Sequence, residues 1–100
     1  MITEFVRLNL QETTTVEQLK ATSDNLINNF WKKQEGFIDA ELVKNIEKNE
    51  WCFIYHFENM DKVKTGGEKM RASKEFGEFV SLVIPGSISV TFNEQLKKWL

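Results

Sequence analysis

Along Val6-Arg7-Leu8-Asn9-Leu10 apolar and polar side chains alternate with the two-residue period of a half-buried strand, and Ile2-Thr3-Glu4-Phe5 adds β-branched and apolar character ahead of it. Strand one is predicted over residues 2–10. Three threonines follow, and both Thr14 with Glu17 and Thr15 with Gln18 have capping-box spacing, so a helix is predicted to start near Val16. Val16, Leu19, Leu26, Ile27 and Phe30 form its apolar stripe, and Gly36 stops the run. Extended chain is predicted from Phe37 to Ile46. The polar Glu47-Lys48-Asn49-Glu50 then connects to Trp51-Cys52-Phe53-Ile54-Tyr55-His56-Phe57, whose aromatics at 51, 53, 55 and 57 share one strand face. Asn59-Met60-Asp61 is read as a turn. A second helix is predicted over about residues 66–84, with Met70, Ser73, Phe76, Val80 and Val83 on one face, before Pro85-Gly86. Ile88-Ser89-Val90-Thr91-Phe92 alternates as strand four, and Asn93 to Leu100 reads as a polar tail with an exposed Trp99.

The order β-α-β-β-α-β predicts an α+β, ferredoxin-like fold: one antiparallel sheet with both helices on one face, in a single domain spanning residues 1–100. The other sheet face keeps apolar residues, Phe5 if Val6, Leu8 and Leu10 turn inward, and Ile54 if the strand-three aromatics do. Such a face asks for a partner, most simply a second copy of the chain related by a two-fold axis.

Composition narrows the function classes. With 13 Lys and Arg against 15 Asp and Glu the net charge is only −2, and no basic run breaks the balance, so no nucleic-acid footprint is expected. No stretch reaches the ~18 apolar residues of a membrane span, and Met1-Ile2-Thr3-Glu4 lacks a signal-peptide pattern; a cytoplasmic protein is expected. One cysteine, Cys52, and one histidine, His56, are too few soft ligands for a metal centre, so no metal is expected.

Gln34-Glu35-Gly36-Phe37-Ile38 entering strand two, the aromatic strand three followed by Glu58, and Ser73-Lys74-Glu75-Phe76 with Phe79 on helix two resemble the dimeric α/β-barrel family that contains the antibiotic biosynthesis monooxygenases. The resemblance implies two ferredoxin-like chains with their sheets face to face, and a pocket in each chain between its sheet and helices. It also implies oxidation of a small aromatic or acyl compound without a cofactor. The chain departs from the family at three places: Phe57 stands where members often have Trp, helix two has no His, and Val6 stands where heme-degrading members have Asn. Heme degradation is therefore not expected.

His56 is the only side chain whose ordinary pKa lies near neutrality, which makes it a candidate general base, with Tyr55 as an alternative. Its parity opposes that of Tyr55 and Phe57, so an interface role competes with a catalytic one. Tyr55 and Phe57 are candidate walls of an apolar pocket, and Met70 and Phe76 the opposite wall. Arg7 and Asn9, polar within strand one, are candidates for holding a substrate carboxylate or for pairing with Glu4 or Glu41. Trp31, at the end of helix one and just off its apolar stripe, is a candidate cover for the pocket mouth or for a neighbouring subunit. Against an enzyme stands a rival reading, a non-catalytic module on the same fold that binds a small molecule or regulates.

Overall fold

The computed structural model describes all 100 residues. Strand β1 spans Ile2–Leu8 and helix α1 Val16–Asn29, followed by a 3-10 turn at Trp31–Lys33. Strands β2 (Phe37–Lys44) and β3 (Trp51–Phe57) come next, then helices α2 (Met60–Arg71) and α3 (Lys74–Val80), and strand β4 (Ser89–Glu94). The sheet order is β2-β3-β1-β4 with every neighbouring pair antiparallel, the ferredoxin-like arrangement.

Local chemistry sets the helix starts. Of the two capping boxes in the sequence, the second is used: the Gln18 amide donates to Thr15 Oγ1 at 3.1 Å, and the Thr15 amide donates to Gln18 Oε1 at 2.8 Å. Thr14 instead donates its hydroxyl to the Leu82 carbonyl at 3.0 Å, tying the helix entrance to the chain after α3.

The single second helix expected over 66–84 is two helices. Asn59 is a cap rather than a turn residue, because its side chain accepts from the Lys62 amide at 3.0 Å and starts α2 seven residues before Gly67. Ser73 then breaks the run: its hydroxyl donates to the Met70 carbonyl at 2.6 Å and accepts from the Phe76 amide at 3.2 Å, ending one helix and capping the next. Gly66 sits inside α2, where a Cβ would lie 2.7 Å from Trp31 Cζ3; the missing side chain lets the helix rest on the indole. At Gly36, φ of +88° turns the chain into β2.

The remaining boundaries move slightly. β1 ends at Leu8, although Leu10 still bridges to Val83. β2 ends at Lys44, and β4 extends through Asn93 and Glu94, so the tail begins later than the composition suggested.

Residues Ile2, Glu4, Val6 and Leu8 of β1 lie opposite Phe57, Tyr55, Phe53 and Trp51 of β3, and this row faces the helices. A bulge between Phe37 and Asp39 resets the parity of β2, so that Phe37 and Ala40 both fall on the helix side, opposite Phe57 and Tyr55. The core is aromatic. Trp31 lies at its centre, with ring centroids of Phe30, Phe37, Tyr55 and Phe57 at 5.0 to 6.2 Å.

Candidate functional site

Helices α2 and α3 cover β3 and β1 but leave the helix-facing side of β4 bare. Ile88, Val90 and Phe92 point toward the helices across that gap yet stay 38%, 42% and 50% exposed. The gap is a cavity of about 490 Å³, the size of a small-molecule site, and 13 of its 18 lining residues are hydrophobic. Its floor is Val6, Phe53, Tyr55 and the β4 side chains, its roof Val63, Met70 and Phe76, and its inner end Trp31. Such a lining suits a flat apolar ligand.

Two polar groups stand on the floor. Glu4 on β1 lies between Tyr55 of β3 and Phe92 of β4, each its direct cross-strand neighbour. Partial burial among apolar walls pushes its carboxyl up to about 7, because the anion is poorly solvated there. The Tyr55 phenol is pushed far up, first by burial and then by the Glu4 charge, so it remains a protonated donor. A carboxyl that titrates near neutrality next to a phenol donor can take a proton at one point and stabilise an oxyanion at another. Lys64, Glu68 and Arg71 of α2 stand at the exposed rim.

Of the residues singled out from sequence, Tyr55, Met70, Phe76 and Trp31 meet in this cavity. Trp31 is an inner wall of the core, only 3% exposed, rather than a cover over the mouth. Phe57, 1% exposed, packs against Trp31 and Phe37 outside the cavity. His56 stands on the opposite sheet face, with Nδ1 at 2.5 Å from Asp39 Oδ1, and cannot reach the cavity through the sheet. Arg7 shares that opposite face, its guanidinium 5.1 Å from the Phe5 ring centroid. Asn9 joins loops: its amide donates to Ser87 Oγ at 3.1 Å and its side chain donates to the Asn49 carbonyl.

Glu4 and the β4 wall were not among the sequence candidates. The signal for Glu4 was present, since an acid at the parity of Val6 and Leu8 belongs to the buried face of β1. Nothing in the sequence marked Ile88, Val90 and Phe92 as uncovered.

A second concavity, between α1 and β2, has about 820 Å³ and is wide open to solvent. Lys20, Asp24, Lys32, Asp39 and Glu41 rim it. The smaller, more apolar cavity with Glu4 and Tyr55 is the better chemical site. No three His, Cys, Asp or Glu side chains converge anywhere in the chain.

No known protein-family profile matches the sequence, and no curated protein sequence does. Solved structures match over nearly the whole chain. SnoaB, a cofactor-independent oxygenase from Streptomyces nogalater, superposes with a TM-score of 0.72 at 14% identity, covering 97% of this chain and 94% of its own. An antibiotic biosynthesis monooxygenase superposes at 0.69 with 9% identity, covering 97% and 100%. A conserved protein from Methanosarcina mazei superposes at 0.70 with 13% identity, covering 94% and 91%. The chain is an α+β ferredoxin-like protein with the fold seen in antibiotic biosynthesis monooxygenases.

Proposed function

We propose that this chain, built on the antibiotic biosynthesis monooxygenase fold, binds a small aromatic or acyl compound in the cavity beneath α2 and α3 and oxidises it with molecular oxygen, without a cofactor. The observation that carries this reading is the cavity itself: about 490 Å³, mostly apolar, with an acid and a phenol on its floor. An activated methylene is the simplest group to oxidise there. It loses a proton, the carbanion adds oxygen to give a peroxide, and cleavage of the O–O bond leaves a ketone. One oxygen atom stays on carbon and the other departs as water, so the four electrons lost by carbon reduce one O₂. The dry walls shield the carbanion from water until oxygen meets it.

The chain acts as a homodimer in the cytoplasm. Phe5, Val43 and Ile54 lie on the sheet face away from the helices, and a second copy placed against that face covers them. A stable interface buries roughly 2,000 Å² or more. Light scattering at micromolar concentration is expected to return twice the 11.7 kDa chain mass; a monomer contradicts the pairing.

The activity test uses anthrone, an enolisable polycyclic ketone, in air with chelator present. Oxygen uptake above background, with one O₂ consumed per ketone formed, is the expected result. Binding of anthrone without oxygen uptake favours the non-catalytic module instead, a reading that the absence of any histidine from the cavity supports.

A further inference from the structure

We propose that Glu4 is the proton acceptor of the cavity, and that the site therefore takes neutral compounds bearing an acidic proton, phenols and enolisable aryl ketones, and discriminates against their anions. This deepens the reading above and rests on the cavity being the ligand site.

Placement carries the argument. Glu4 is the one acid on the helix-facing side of the sheet that lines the cavity, in a row with Tyr55 on one side and Phe92 on the other. The ion pairs of the chain join His56 to Asp39, Lys62 to Glu35 and Lys74 to Glu78; Glu4 has no cationic partner. The charged groups of the packed elements nearest the cavity, Lys64, Glu68 and Arg71 of α2, sit exposed at its rim and are screened by water. An unpaired, half-buried acid in an apolar wall costs stability and contributes nothing to packing. Facing a ligand, it has a use.

The step is a proton transfer with conserved charge. A C–H or O–H bond of the ligand breaks, its proton forms an O–H bond on the Glu4 carboxylate, and the electron pair remains on the ligand as an enolate or phenolate. One negative charge occupies the cavity before the step and one after it. The Tyr55 hydroxyl, one strand away, donates a hydrogen bond to the new oxyanion. A ligand arriving as an anion instead places two negative charges side by side in a low-dielectric space, which a proton from solution must relieve.

Para-nitrophenol tests this directly, because its phenolate is yellow and its phenol is not. At about pH 8.5 the free probe and Glu4 are both ionised, so binding to the unmodified protein should take up close to one proton per probe, held on Glu4 while the bound probe stays yellow. Proton uptake is read by calorimetry in two buffers of different ionisation enthalpy. Glu4→Gln, isosteric with the protonated acid, should bind yellow phenolate with no proton uptake and at least about tenfold more tightly. As a check that needs no variant, the carboxyl carbon resonance of Glu4 in the unmodified protein should report a protonated acid in the complex at that pH. Equal proton uptake by both proteins, or a Glu4 resonance unmoved by a bound probe, overturns the assignment of Glu4 while leaving the cavity as the site. Failure of both proteins to bind overturns the cavity reading and this inference with it.

Discussion

Along one row of the sheet, Tyr55, Glu4 and Phe92 sit on consecutive strands and face the same side, yet Tyr55 is 5% exposed and Phe92 50%. On the β3 side, Trp31 and its four aromatic neighbours close the space over the sheet; on the β4 side no strand residue is buried. Both halves have apolar strand residues, so hydrophobicity does not separate them. What separates them is the roof: the 3-10 turn drives an indole down onto β3, while α2 and α3 end their cover short of β4. Glu4 stands at the boundary, dry enough to hold its proton near neutrality and open enough to meet a ligand. A core becomes a site where its packing stops.

The comparison breaks most visibly at its packed end. Trp31→Ala removes the centre of the aromatic cluster and should cost about 3–5 kcal/mol in denaturant unfolding. A loss under about 1 kcal/mol would show the packed half to be as loose as the open one.

Glu4→Gln should sharpen the boundary. Burial raises this acid from 4.5 to about 7 in the folded chain, so the fold binds its proton more tightly than the unfolded chain does. Stability from this group is therefore full at low pH, falls as pH rises from 4.5 through about 7, and stays lowered above that. The variant should match the parent near pH 4 and exceed it by roughly 1–3 kcal/mol near pH 8.5. Parallel stability curves would place Glu4 in water.

The two adjacent glycines of α2 provide a contrast of sign. A Cβ at Gly66 meets the Trp31 ring at 2.7 Å, whereas one at Gly67 meets only an Arg71 side-chain nitrogen at 3.7 Å. Gly67→Ala should stabilise by up to about 1 kcal/mol through helix propensity, and Gly66→Ala should destabilise by about 1 kcal/mol as overpacking outweighs the same gain. Thermal unfolding of both variants reads the difference.

Phe92→Ala lies at the small end for folding, with a cost below about 1 kcal/mol since half the ring is already in water. Its effect on para-nitrophenol affinity should exceed its effect on stability. The reverse order would mean that the β4 wall belongs to the core.

How much of this was legible in the sequence differs between the same two halves. The aromatic alternation of residues 51–57 places four side chains on the buried face by strand geometry alone, and the structure has all four there. The parity that turns Val6 and Leu8 inward turns Glu4 inward as well, so the acid could have been read from the sequence. The break at Ser73 could not, because Ser73 also fitted the apolar helical stripe, and the Gly66-Gly67 pair drew attention from the Asn59 cap. The links from Asn49 to Leu10, 39 residues apart, are long-range and have no local signal. The open half is legible least of all, since it depends on where two helices fail to reach.

The central claim, that ligand enters on the β4 side and not on the bare sheet face, is tested most directly by methyl and ring resonances during titration with 2-naphthol, a neutral aromatic phenol. Shifts should concentrate on Met70, Val90, Phe92 and Tyr55, with Val43, Ile54 and His56 unmoved. Shifts centred on Val43, Ile54 and His56 instead would contradict the account.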